Sequence, residues 1–116
     1  MLTKLHFSVQ VAADGAQAWA ILQQPDAPSL VILDWMMPGM DGYEVCRRVR
    51  EAKGDSGPYI LLVTAKDSRE DLLRAIVAGA DDYLIKPFKV LDLEIRLRVA
   101  IRVLALKEQV RAMSLT

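Results

Sequence analysis

The sequence predicts an α/β fold built on a parallel sheet, and three observations lead to it. Leu30-Val31-Ile32-Leu33, Tyr59-Ile60-Leu61-Leu62-Val63 and Tyr83-Leu84-Ile85 are apolar runs too short for helices, so each reads as a buried strand. Helix-period segments separate them, the alternation that joins parallel strands through helical crossovers. Each run also ends in a polar residue: Asp34, Thr64 and Lys86. Parallel strands linked this way leave the sheet at one edge, which is where α/β sheets bind ligands. A carboxylate, a hydroxyl and an ammonium group from distant parts of the chain are therefore expected together.

Composition narrows the function classes. With 116 residues the chain is one domain, large enough for a real core. At 53% hydrophobic residues and formal net charge zero it is neither disordered nor a polyanion binder by composition. No apolar run approaches the roughly 20 residues of a membrane span, and no secretory signal opens the chain. The lone Cys46 excludes an internal disulfide framework and fits a reducing, cytoplasmic setting. Between Val45 and Val49 it reads as a buried, inert thiol. No zinc-spaced His/Cys cluster, glycine-rich phosphate loop or internal repeat is present.

The elements follow in order. Ser8 to Ala12 reads as a short strand. Asp14 caps a helix through Leu22, with Gln17 placed to complete a capping box. Two prolines make Gln24 to Ser29 a loop. Asp41, with Glu44 at the same spacing, caps a helix that turns Val45, Cys46 and Val49 inward and Arg47, Arg48 and Arg50 outward. Gly54 to Pro58 ends it. Asp67 with Glu70 opens the next helix, in which Leu72, Leu73, Ile76 and Val77 form one apolar stripe and Gly79 is the stop. The last helix starts at about Val90. Its Leu93, Leu97, Ala100 and Leu104 suit packing on the sheet. A second stripe, Val99, Val103, Leu106, Val110 and Met113, has heptad spacing for about two heptads.

Residue by residue, plain readings compete with chemical ones. Asp34 is a metal ligand, a general base, an acceptor of a transferred group, or an aspartate that starts a turn. Thr64 could serve as a local cap, Tyr83 as a half-buried core aromatic, and Lys86 as an ordinary surface lysine.

Taken jointly, the motifs resemble the receiver domain of two-component response regulators, over nearly the whole chain. They are Asp34 with Met37-Pro38-Gly39-Met40-Asp41-Gly42, then Thr64-Ala65, Ala78-Gly79-Ala80-Asp81-Asp82-Tyr83, and Lys86-Pro87-Phe88. The resemblance implies a flavodoxin-like parallel sheet in 2-1-3-4-5 order with helices on both faces. It also implies a signalling domain rather than an enzyme, in which Asp34 accepts a phosphoryl group from a histidine kinase or phosphotransfer protein. Lys86 would meet the phosphoryl oxygens and Thr64 would follow the new anion, with Tyr83 as the coupled switch aromatic. Ala65 would leave access, and Lys86-Pro87 would be cis. Mg2+ would be held by Asp34 and the Met36 backbone carbonyl. The runner-up is a phosphorylation-independent dimerisation module with a vestigial site. A phosphohydrolase is disfavoured, because Met36 stands where its second carboxylate belongs.

Two departures from the family pattern shape further expectations. The family begins with a central strand ending in paired acidic residues and a full first helix. Here Met1-Leu2-Thr3-Lys4-Leu5-His6-Phe7 reads as the last turns of that helix, leading straight into Ser8 to Ala12. An N-terminally shortened sheet is expected, closed by a second copy, by rearrangement of Ser8 to Ala12, by domain swapping, or left open. The remaining acidic metal ligands would be absent, since Asp14, Asp41, Asp81 and Asp82 read as caps and turn residues. The second departure is the last helix. Residues 1–105 are expected to form the receiver, and 106–116 to continue the helix as a linker to an output domain missing from the chain. Homodimerisation is expected through that helix or through sheet completion. From Lys86 to Arg111 seven Lys/Arg face three Asp/Glu, but no recognition helix or aromatic platform supports nucleic-acid contact.

From the ligand set comes one prediction. Millimolar magnesium should give no saturable change in Trp35 emission (with Trp19 as background), and small phosphodonors should label the chain slowly.

Overall fold

Three parallel strands carry the described part of the molecule: β1 (Leu30–Asp34), β2 (Tyr59–Thr64) and β3 (Asp82–Ile85), side by side in that order. The computed structural model describes residues 14–114. The strand expected at Ser8 to Ala12, the helical turns expected at Met1 to Phe7, and hence the sheet gap, lie outside the described residues. Register sets Asp34 opposite Val63 and Thr64 opposite Ile85, so the carboxyl ends of all three strands share an edge. Only β2 is buried along its whole length. On β1 Val31 and Leu33 are buried while Leu30 and Ile32 are partly covered, and on β3 only Leu84 is fully buried. The expectation of three buried strands therefore holds for the central one alone.

Among the described residues four α-helices cover the two faces: α1 (Gly15–Leu22), α2 (Gly42–Lys53), α3 (Arg69–Ala78) and α4 (Val90–Ser114). Strand alternation sends Val31, Leu33, Ile60 and Leu62 to one side, where they pack with Ala18, Leu22, Val45, Cys46, Val49, Ala75 and Ala78. Leu61, Val63 and Leu84 point the other way onto Leu97, with Leu30, Ile32 and Leu93 at the margin. Both faces are thus helix-covered, as expected for this fold class.

The caps are local chemistry. Asp14 Oδ1 accepts the Gln17 N–H at 2.8 Å, and Asp41 Oδ1 accepts that of Glu44 at 2.9 Å. The start of α3 falls one residue later than expected. Ser68 Oγ accepts the Asp71 N–H at 3.1 Å and donates to Asp71 Oδ2 at 2.9 Å, so a serine, rather than Asp67, satisfies the first turn.

Two packing expectations are corrected. In α3 the apolar stripe does not face the core: Ala75 and Ala78 are buried, while Leu73, Ile76 and Val77 are exposed, Val77 to 80%. Small side chains let the helix lie close to its neighbours, and that geometry outweighs hydrophobicity. Arg50, expected outward, folds in to 16% side-chain exposure. Its Nε donates to the Gly79 carbonyl at 2.8 Å and its Nη2 to the Pro58 carbonyl at 2.9 Å and to Asp81 Oδ2 at 2.6 Å. The same Asp81 oxygen accepts the Ile60 N–H at 2.7 Å. Arg47 and Arg48 do face solvent. Their hydrogen bonds to Glu44, that of Arg47 first, hold its carboxyl down to about 2.

Helix α4 is 25 residues long, about 37 Å at 1.5 Å per residue. Leu97 and Ala100 are buried against the sheet, and Val99, Leu106 and Val110 of the second stripe are exposed. No described helix is long and apolar enough to cross a membrane.

Arg50→Ala should cost about 2–3 kcal/mol in urea unfolding, because buried carbonyls and Asp81 lose their partner. Arg48→Ala, at an exposed pair, should cost under about 1 kcal/mol. Burial pushes the Cys46 thiol up to about 12, so a disulfide reagent at neutral pH should label it only as fast as the protein unfolds.

Candidate functional site

Asp34 is the last residue of β1 and Lys86 the first after β3, two strands away. Lys86 Nζ donates to Asp34 Oδ2 at 2.6 Å. The other carboxylate oxygen, Oδ1, accepts the Met36 N–H at 3.1 Å. The pair is open to solvent, with side-chain exposures of 41% for Asp34 and 43% for Lys86. A carboxylate held at both oxygens and still accessible has lone pairs left to attack an incoming electrophile.

The backbone around this pair is tightly set. The Trp35 N–H donates to the Val63 carbonyl at 2.8 Å, and the Lys86 N–H to the Thr64 carbonyl at 2.7 Å, extending the ladder past both strands. The Gly42 N–H closes the loop onto the Trp35 carbonyl at 2.9 Å. A Cβ on Gly42 would lie 2.4 Å from the Asp34 carbonyl oxygen, so only glycine lets α2 start beneath the acceptor strand. The Lys86-Pro87 bond is cis.

Thr64 shares the edge, yet its hydroxyl is turned into its own chain. It is 1% exposed, and its Oγ1 accepts the Lys66 N–H at 2.9 Å. Tyr83 is half-buried on β3, in register with Leu62. Ala65 is exposed beside the site. The structure thus joins Asp34 with Lys86; Thr64 ends the strand between theirs, and Tyr83 stands two residues before the end of β3.

One assembly escaped the sequence reading. Trp35 is buried and stacks on Tyr43 at 5.8 Å between centroids. Lys66 Nζ lies 5.4 Å over the Trp35 ring, and the Arg74 guanidinium 5.0 Å over Tyr43. A column of two aromatics and two cations therefore runs from the residue after Asp34 to α3. Trp35 and Tyr43 stand eight positions apart with no periodicity linking them to Arg74, so spacing gave no cue.

The described oxygen donors around Asp34 are too few for a magnesium ion. Asp34 offers one carboxylate already paired with Lys86, and the Met36 carbonyl one backbone oxygen. Among the described residues no group of three His, Cys, Asp or Glu side chains could hold a metal. Asp14 and Asp41 serve as caps, Asp81 binds Arg50, and Asp82 accepts from the Tyr83 N–H at 2.8 Å and faces Arg96 at 3.4 Å. The described residues alone do not make a magnesium site, which takes near-octahedral oxygen coordination.

A family model described as the response regulator receiver domain matches residues 1–98. The chain is 46% identical over 96 residues to the response regulator MprA of Mycolicibacterium vanbaalenii, covering 83% of this chain and 40% of that protein. It is 43% identical over 96 residues to the DNA-binding response regulator MtrA of Mycobacterium leprae, covering 83% of this chain and 41% of the relative. The chain thus spans about 40% of the length of the curated relatives it matches. Among solved structures it superposes with a TM-score of 0.70 on the receiver domain of a sensor histidine kinase from Pseudomonas aeruginosa, described with magnesium in its active-site cleft. That pair is 32% identical, with 86% of this chain and 81% of the other covered. With a polar edge of this make-up, a matching family model and relatives of this identity, the chain belongs to the receiver domains of two-component response regulators.

Proposed function

We propose that Asp34 is the phosphoacceptor of this receiver, that Lys86 is its charge partner, and that a histidine kinase or phosphotransfer protein is the donor. The observation that carries it is the 2.6 Å bond between Lys86 Nζ and Asp34 Oδ2, made across 52 residues of chain at the ligand-binding edge of the sheet. In the transfer, an Asp34 carboxylate oxygen attacks phosphorus, and the N–P bond to the donor imidazole breaks. The electron pair returns to the imidazole nitrogen, which takes up a proton, and an acyl phosphate is left on Asp34. The Lys86 ammonium, a compact point charge on a flexible stem, meets the added oxygens. The Met36 amide keeps the carboxylate aimed.

Thr64 and Tyr83 supply the response. At rest the Thr64 hydroxyl is engaged by the Lys66 N–H; a dianion at Asp34 offers it a stronger, charge-assisted partner. Moving it loosens the turn that opens toward α3, and Tyr83 on the neighbouring strand adjusts to the vacated space. Receiver domains generally bind Mg2+ where the phosphoryl group sits. For this chain Asp34 and the Met36 carbonyl are the described oxygens nearest to that role. Residues 1–105 form the receiver, and 106–116 serve as a linker toward an output domain. MtrA is named as DNA-binding; for this chain any DNA contact would belong to such an output domain. A cytoplasmic location suits the exchange with a kinase.

A second reading has support from one feature. The exposed Val99, Leu106 and Val110 of α4 would suit a homodimer that needs no phosphate.

Excess phosphoimidazole (a small N–P donor) with magnesium should slowly give the wild type a hydroxylamine-labile phosphate, and Asp34→Ala none. Lys86→Ala should label about ten- to hundred-fold more slowly. Equal labelling of Asp34→Ala and the wild type would exclude Asp34 as acceptor and leave the phosphate-independent module.

A further inference from the structure

The first residue of α1, Gly15, lies against the loop that follows the acceptor. A Cβ built there would stand 1.5 Å from the Met40 carbonyl oxygen and 2.3 Å from its carbon. Both are backbone atoms, which cannot swing aside as the tip of a side chain can. Ordinary contact begins at 3.4 Å, so any side chain at Gly15 would push the loop back by about 2 Å. The Gly15 N–H also faces the Pro38 carbonyl at 3.5 Å. Asp14, by capping the Gln17 N–H at 2.8 Å, fixes the turn from which that contact is made.

The same loop aims the acceptor. Its near end carries the Met36 N–H that holds Asp34 Oδ1 at 3.1 Å, and its far end is closed by the Gly42 bond to the Trp35 carbonyl at 2.9 Å. Helix α2 thus fixes the loop at its base and α1 fixes it at its tip. Between them hangs the amide that orients the carboxylate.

We propose that Gly15 is a positioning residue for phosphoryl transfer: by letting α1 close on Pro38 and Met40, it fixes the Met36 amide that aims Asp34. The inference rests on the acceptor reading above. A misplacement of about 1 Å can slow an oriented reaction about a hundred-fold.

The test uses the full chain with phosphoimidazole and magnesium, varying donor concentration. Gly15→Ala should lower the saturating rate at least ten-fold, with little change in the half-saturating concentration. In a Trp19→Phe background, Gly15→Ala should also shift Trp35 emission, which reports the loop without phosphorylation. Leu22→Ala, at the buried far end of α1, should lose more stability yet keep the rate per folded molecule. Should Gly15→Ala not fold, Asp14→Ala replaces it. It removes the cap without adding bulk, and should slow transfer severalfold more than Leu22→Ala does. A folded Gly15→Ala with wild-type rate and emission overturns the proposal, as does a loss of rate that Leu22→Ala reproduces. An unlabelled wild type overturns the acceptor reading instead. The role of Gly15 in transfer falls with it, and Trp35 emission in Gly15→Ala then shows separately whether α1 holds the loop.

Discussion

A lysine side chain must cross the whole width of β2 to reach Asp34, and only the parallel register makes that crossing short enough. Strands lie about 4.8 Å apart, so β1 and β3 are separated by roughly 10 Å, near the limit of two side chains stretched toward each other. A one-residue slip of either outer strand would turn its terminal side chain to the other face. The wholly buried β2 prevents the slip, because its alternate residues fill cores on both sides of the sheet. The polar edge is a by-product of a dry centre.

Much of this was legible in the chain because it is local chemistry. Short β-branched runs, an aspartate before each of two helices, and glycine after Ala78 carry their own conformational preferences. The three polar strand ends needed one further step, that crossover-linked strands share a direction. What stayed hidden depends on contacts between distant segments. Arg47, Arg48 and Arg50 are alike in sequence, and only the third finds carbonyls and a carboxylate 8 to 31 positions away. Leu73, Ile76 and Val77 look like a core stripe, but close approach through Ala75 and Ala78 decides which side of α3 is covered. The sequence could offer Thr64 as a donor, but not that its oxygen is already committed to Lys66.

The surroundings of Asp34 divide into parts with different duties. Backbone bonds from Trp35, Lys86 and Gly42 hold the strand ends in place. Side-chain contacts are of another kind: one ammonium open to solvent, one hydroxyl facing its own turn, and an aromatic column topped by Arg74. Such a division suits a site that must keep its geometry while its charge changes. The α3 face, with three exposed apolar residues, is reached from that column through Tyr43 and Arg74.

The Arg50 guanidinium gathers the end of α2, the connection ahead of β2 and the turn ahead of β3 into one knot, at the rim opposite Asp34. That rim is tied by side-chain bonds that water cannot easily reach, whereas the Asp34 and Lys86 side chains at the other are open to solvent. Cutting the Arg50 bonds would therefore loosen the starts of β2 and β3 while leaving the Lys86–Asp34 bond at the far end of the sheet in place.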